Sequence, residues 1–275
     1  ASDYGLLSIC SMLAWGLGYF GVPQVLLRFM AIRKEEELVR SRRIAMIWVV
    51  ISLAVAVFIG IVGRQILVSD LKGSEVLATK PGAENIFIIL ATNCLPPILA
   101  GFVMAGILAA TISSSDSYLL IAASALSKNI FQGIVKKNAT DKQVMMVSRI
   151  TLLVLTLIGV VIALDEDSVI FSIVSFAWAG FGATFGPLML FSLFWKRINK
   201  AGAIAGMISG AGMVFLWKLC ISKLGGAFEI YELLPAFIFS SIVIVVVSLL
   251  TKAPSKEIEE DFEAVRAGKV YDVAK

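Results

Sequence analysis

The sequence predicts an all-α protein that crosses a membrane several times, and three observations carry that prediction. Only 16% of the 275 residues are charged and 59% are apolar, where a soluble domain carries about 25% charged residues. Seven long stretches hold at most one charge: Tyr4–Leu27, Ile44–Gly63, Asn85–Ser115, Val144–Leu164, Ser168–Trp195, Ala201–Trp217 and Leu233–Thr251. A bilayer-spanning helix needs roughly 17–25 mostly apolar residues, and buried core helices do not repeat at that length. The basic residues also fall on alternate sides of these stretches. With the N-terminus outside, the inner side takes 19 of the 24 Lys and Arg residues, leaving Arg64, Lys72, Lys80, Lys218 and Lys223 outside. The excess of Lys and Arg in inner loops then predicts N-out, C-in. The net charge of +4 is a topology signal, which argues against a nucleic-acid partner.

The first predicted span covers residues 5–31 and contains Trp15-Gly-Leu-Gly-Tyr-Phe-Gly-Val-Pro23. Residues 33–43 are read as a charged inner loop. The second span covers residues 44–68, followed by an outer loop with Lys72-Gly73 and Pro81-Gly82 turn signals. Residues 85–95 are apolar but too short to span, so they predict an outer lid or re-entrant helix. The third span runs over residues 97–135, opening at Pro96-Pro97 because proline is tolerated in a first helical turn. It is longer than a bilayer requires, so its end projects inside. Thr140-Asp-Lys-Gln143 is a capping-box pattern that opens the fourth span, 141–164. Asp165, Glu166 and Asp167 make an acidic outer turn before the fifth span, 168–195.

Two further spans lie within residues 196–253. Gly202, Gly206 and Gly210 form a stripe on the first of them that favours close helix packing. Residues 254–275 are a polar inner tail, in which Ile258, Phe262 and Val265 line one face of a surface helix or belong to a solvated segment. The chain opens Ala-Ser-Asp without Met and shows no signal peptide, so a preceding N-terminal portion is expected.

Histidine is absent, which removes Ser-His-Asp hydrolysis, HExxH zinc chemistry and imidazole acid–base work. Cys10, Cys94 and Cys220 are far apart and form no CxxC, so they read as packing residues. The chain is therefore read as a transporter rather than an enzyme.

Two segments carry the chemistry. Gly16, Gly18 and Gly21 match G-x-G-x-x-G, but a dinucleotide loop needs a preceding strand and a soluble βαβ unit. Three glycines and Pro23 within eight residues instead disfavour a continuous helix. Within a membrane, broken backbone is tolerated where it is buried in protein or lines a cavity, and interrupted apolar segments point to a transporter's midplane site. The alternative is a kinked packing helix. The other segment is Ala109-Ala-Thr-Ile-Ser-Ser-Ser-Asp-Ser117 in the third span. Asp116 is the one acid in the interior of a predicted span, Asp141 standing at the first position of the fourth, and at a helix centre it would cost roughly 2.5–3.5 kcal/mol. It must face protein, water or an ion. Neighbouring hydroxyls and a helical carbonyl supply neutral oxygens that suit Na⁺; the alternative is serines bonded back to their own helix. Gly180, Gly182, Gly186 and Pro187 in the fifth span mark either a hinge or a close-packing face.

At these residues the sequence resembles the sodium/solute symporters. Residues 15–31 (WGLGYFGVPQVLLRFMA), 106–120 (GILAATISSSDSYLL) and 175–197 (SFAWAGFGATFGPLMLFSLFWKR) carry the resemblance. The first and third are similar to the proline-carrying branch, and the middle one marks the family more broadly. The resemblance implies a LeuT-type fold of two inverted five-helix repeats. Residues 1–195 would be the second repeat and 196–253 two peripheral helices, with the first repeat missing.

The resemblance also implies roles. Ser113 and Ser114, with the Ala110 carbonyl, would ligate the coupling Na⁺. Trp15, Tyr19 and Pro23 would face the substrate, L-proline or a related small solute. Gly18, Gly21, Asp116 and Ser117 are candidate outer-shell or gating positions; Asp116 stands at a variable family position, which leaves ion attraction, an outer-shell partnership and packing open. Ser114 stands where proline carriers often have Thr, which keeps the hydroxyl, and Val22 where they often have a polar residue. The implied activity is Na⁺-driven uptake across a bacterial inner membrane. The rivals are a relative carrying another solute such as pantothenate, a heptahelical receptor, and a sensor-kinase membrane domain. Glycine breaks in the first and fifth spans, and the lack of a lysine suited to retinal, argue against the receptor. The short tail argues against the kinase.

Overall fold

The computed structural model describes residues 5–68, 80–164 and 170–267. The helices in chain order are α1 (Leu6–Gly18), α2 (Pro23–Met30), α3 (Glu35–Val68), α4 (Lys80–Glu84), α5 (Ile86–Cys94) and α6 (Pro97–Ser124). They continue with α7 (Asp141–Ala163), α8 (Ile170–Phe194), α9 (Lys200–Leu216), α10 (Leu233–Leu250) and α11 (Lys256–Arg266). No strand occurs among the described residues. Among the described residues, six stretches are long and apolar enough to cross a membrane, and the α1–α2 pair, bent by 44°, makes a seventh if counted as one span. The Lys72-Gly73 signal and the acidic turn Asp165-Glu166-Asp167 lie outside the described residues.

Sequence and structure differ at four places. The charged segment 33–43 is mostly helix, because α3 already begins at Glu35. Its Glu, Leu and Arg residues are good helix formers, and Arg33 pairs with Glu37 one turn on at 2.9 Å. Pro81 and Gly82, read as a turn, lie in the short helix α4. The long third span changes its hydrogen bonding: α6 continues from Ala125 to Val135 as a π-helix. Finally, the fifth span is unbroken. Helix α8 runs continuously from Ile170 to Phe194 with Pro187 inside it.

The chain divides into two compact units. Ala1–Ala31 with Phe171–Lys275 form one, and Ile32–Ile170 form the other. In the first unit, α9 and α10 pack through the glycine stripe. A side chain at Gly202 would overlap Ser248, and one at Gly206 would overlap Ile244. Ser240 Oγ donates to the Gly206 carbonyl at 2.9 Å, a bond that close approach of the two backbones permits. The core here is Ala179, Ala183, Val214, Leu233, Ala236 and Phe237. Asn199 ties the two helices at their other end: its Oδ1 caps α9 at Gly202 N (2.8 Å) and its Nδ2 donates to Thr251 Oγ1 (2.7 Å). The tail forms helix α11, capped by Ser255 Oγ. Lys196 pairs with Glu259 and Glu263 of that helix.

In the second unit, the short apolar helix α5 packs on α3, where Gly63 leaves room for Ile86 and Leu90. Glu84, just ahead of α5, accepts a hydrogen bond from Ile170 N at 3.3 Å. Helix α7 opens with the predicted capping box, Gln143 Oε1 accepting from Thr140 N at 3.3 Å. The helices α3 and α7 bury none of their apolar windows.

Candidate functional site

Two groups of residues were singled out by sequence, one in each unit, and their surroundings differ. The first lies at the break between α1 and α2. Helix α1 ends at Gly18, where the Tyr19 N–H turns back to the Gly16 carbonyl at 3.4 Å. A continuing helix would have sent that N–H to the Trp15 carbonyl. The Trp15 carbonyl is instead taken by Trp178 Nε1–H of α8 at 3.0 Å. A helix end otherwise leaves such carbonyls unsatisfied. The chain resumes at Val22, which is buried and extended (φ −78°, ψ 117°), and Pro23 occupies the first turn of α2.

Glycine is required on both sides of this break. A side chain at Gly18 would overlap the Trp178 indole, and one at Gly21 would overlap the Phe181 carbonyl. From the α8 side, a Cβ at Gly182 would lie 2.8 Å from the Gly18 Cα, and one at Gly186 would lie 2.7 Å from the Phe237 ring. Gly182 and Gly186 therefore form a close-packing face rather than a hinge. Gly16 and Gly180 have open space instead. Membrane helices approach this closely where small residues let backbones meet.

Trp15 lies in an aromatic cluster. Its ring stacks on Phe171 (5.4 Å), Trp178 (5.5 Å) and Tyr231 (6.0 Å). Tyr19 stands edge-on to Trp178 at 4.8 Å, with about half of its surface exposed. Pro23 is half-buried. The structure thus brings Trp15, Tyr19, Gly18 and Gly21 together against α8. Sequence reasoning missed Trp178 and Tyr231. Their only signal was an aromatic residue in or beside an apolar stretch, which many others in this chain share.

The second group is on α6. Ala110, Ser113, Ser114 and Ser117 recur at spacings of three and four, which places them along neighbouring rows of one helix surface. Ala110, Ser113, Ser114, Asp116 and Ser117 are all exposed. Ser117 Oγ donates to the Ser113 carbonyl at 3.1 Å and Thr111 Oγ1 to the Ile107 carbonyl at 2.9 Å. Those two hydroxyls follow the back-bonded pattern. The Ser113 and Ser114 hydroxyls make no such bond among the described residues. Hydroxyl and carbonyl oxygens are the neutral donor type that a hard monovalent cation takes.

A profile of the Sodium:solute symporter family matches residues 5–210. The chain is 40% identical over 269 residues to the sodium/proline symporter of Haemophilus influenzae, covering 98% of this chain and 53% of that protein. It is 41% identical over 258 residues to the sodium/proline symporter of Escherichia coli, covering 93% of this chain and 50% of that protein. It is 41% identical over 251 residues to an osmoregulated proline transporter of Bacillus subtilis, covering 91% of this chain and 49% of that protein. The chain thus spans about half the length of the curated relatives it matches.

Proposed function

Because the chain belongs to the sodium:solute symporter family, we propose that it is the second-repeat part of a transporter that carries L-proline inward together with Na⁺. The observation that carries this reading is the break between Gly18 and Pro23. Among the described spans it is the one apolar pair bent at a short interruption, and it is lined by Trp15 and Tyr19. Interrupted apolar spans are where transporters of this kind build their solute sites. The rings beside it supply an apolar wall for a pyrrolidine. The relatives named for proline support that choice over pantothenate.

In this reading Ser113, Ser114 and the Ala110 carbonyl hold Na⁺. The ion favours an outward-open state in which the solute site is complete, and solute then allows closure and inward opening. Asp116 and Ser117 lie beside the ion site, and Gly18 and Gly21 permit the close approach that shapes the break. The driving force suffices. One charge moving across ~100 mV supplies about 2.3 kcal/mol, and a tenfold Na⁺ gradient about 1.4 kcal/mol. Their sum supports accumulation of roughly several hundredfold. The membrane is a bacterial inner membrane, with the N-terminal end of this chain outside and α11 on the cytoplasmic side, as the distribution of Lys and Arg requires.

The test is uptake of labelled proline by the complete transporter in proteoliposomes, with and without a Na⁺ gradient. Uptake is expected only with the gradient. Trp15→Ala is expected to raise the half-saturating proline concentration about tenfold, the scale of a lost aromatic contact. Unchanged proline affinity would remove Trp15 from the solute site, and gradient-independent uptake would remove Na⁺ coupling.

A further inference from the structure

The two helices that follow the five-helix repeat, α9 and α10, are peripheral by sequence, yet the connection between them reaches the break. After α9 the chain passes through a π-turn, Trp217–Ile221, and reverses at Gly225 and Gly226. Both glycines have positive φ (76° and 63°), a conformation side chains disfavour. Trp217 Nε1–H holds the returning strand from behind, facing the Phe228 and Ile230 carbonyls at 3.2 and 3.3 Å. The connection then lies across α1. Tyr231 N–H donates to Ser11 Oγ at 3.0 Å, and the Tyr231 hydroxyl donates to the Ser175 carbonyl of α8 at 2.6 Å. The same ring stacks on Trp15 with an interplanar angle of 17°. The next residue, Glu232, is only 5% exposed and pairs with Lys218 at 3.5 Å. Burial and the nearby Glu232 charge both push the Tyr231 hydroxyl above its ordinary range, so it remains a donor at any physiological pH.

We infer that Tyr231 is a positioning residue for solute binding: anchored to Ser11 and Ser175, and followed in the chain by the buried Glu232, it fixes the orientation of the Trp15 ring at the outer edge of the break. The inference rests on the reading of Trp15 as a solute-facing residue. The α9–α10 connection then sets affinity for solute without touching it. A free indole at a helix break samples several rotamers. The face of Tyr231 and the Trp178 bond to the Trp15 carbonyl hold ring and backbone together, which removes that freedom before solute arrives.

The experiment measures initial proline uptake by the complete transporter in proteoliposomes, normalised to inserted protein. Four variants are compared: Trp15→Ala, Tyr231→Ala, Tyr231→Phe and the double variant Trp15→Ala with Tyr231→Ala. Tyr231→Ala is expected to raise the half-saturating proline concentration about fivefold to tenfold, with the maximal rate within about twofold. Tyr231→Phe keeps the stacked ring and is expected to recover most of that loss. The double variant is expected to match Trp15→Ala alone, since Tyr231 acts through Trp15.

A half-saturating concentration unchanged in Tyr231→Ala, or losses that multiply in the double variant, would overturn the inference. So would a fall in maximal rate alone, which marks a structural role. If Tyr231→Ala fails to insert, Tyr231→Leu, which keeps apolar volume without an aromatic face, is judged by the same criteria. Should Trp15→Ala itself leave the half-saturating concentration unchanged, the solute-site reading falls and this inference falls with it. Should Trp15→Ala raise it while Tyr231→Ala does not, only this inference falls.

Discussion

The break around Trp15 and the hydroxyl face of α6 are both polar interruptions in apolar helices, yet they stand in opposite states. At the break, nearly every exposed requirement is met from within the same unit. Trp178 takes the freed carbonyl, Gly182 and Gly186 take the backbone, and Tyr231 covers the Trp15 ring. On α6, Ser113 and Ser114 point at nothing the described residues provide, and Asp116 is exposed beside them. An unmet polar face in an apolar helix is costly unless protein, water or an ion covers it. The first region is therefore closed by packing within its own unit, and the second leaves its hydroxyls unbonded among the described residues. Damage to the first is expected to appear as lost stability, and damage to the second as lost ion coupling.

The strongest test of the first half of that contrast is Gly21→Ala. The added Cβ would meet the Phe181 carbonyl and would lie 2.9 Å from the Gly182 Cα, so backbone rather than a flexible side chain must move. Overpacking of this kind costs about 1–3 kcal/mol, and occasionally more. A clear fall in the unfolding temperature of the purified transporter is expected. Gly16→Ala is the control, because its Cβ would enter open space. Equal effects at the two glycines would show that helix propensity, not close approach, governs the break.

Ser113→Ala combined with Ser114→Ala tests the other half. Each lost oxygen ligand to a charged partner costs about 1.5–3 kcal/mol. The Na⁺ concentration needed for half-maximal uptake is expected to rise at least tenfold. Both hydroxyls are exposed and unbonded among the described residues, so thermal stability is expected to shift by less than about 0.5 kcal/mol. Unchanged Na⁺ dependence would take these serines out of the ion site. A large loss of stability would instead show that they are packing residues, and would dissolve the contrast between the regions.

How legible each region was in the sequence follows from the range of its interactions. The break was legible because its cause is local: three glycines and Pro23 within one segment. The hydroxyl face was legible because helical spacing alone groups Ala110, Ser113 and Ser114. The clamp on Trp15 was not, because Trp178 is 163 residues along the chain and its pairing depends on how α8 crosses α1. Glycine composition also misled at α8. Gly180, Gly182 and Gly186 resemble the first span's glycines, yet α8 stays continuous. Its neighbours fill the space that a break would open, and Phe237 packs where a Gly186 side chain would stand. The early start of α3 was hidden because its first turns are charged, and charge was read as loop. The π-helical end of the third span has no sequence signature that side-chain spacing reveals.

The smallest expected effect lies outside both regions, at the junction of Lys196 with α11. Lys196 is held above its ordinary value of 10.5, first by its hydrogen bond to Glu263 and next by that to Glu259. Glu263 is held below its ordinary 4.5, chiefly by the same bond. The raised lysine gives its full contribution below pH 10.5 and loses it as pH climbs through the raised value. The lowered carboxylate gives its contribution above pH 4.5 and loses it as pH falls through the depressed value. Docking of α11 is therefore expected to stay constant from about pH 5 to pH 10 and to weaken on either side. Both groups are fully exposed to solvent, so screening keeps the effect small. Lys196→Met is expected to speed proteolytic removal of the tail about twofold, an effect that added salt should reproduce in the unsubstituted protein. It should leave the half-saturating concentrations of proline and Na⁺ alone, because neither the break nor the α6 hydroxyls depend on this junction. A change in either would mean that α11 reports on the sites through α8, and that the packed region extends to the C-terminal end of that helix.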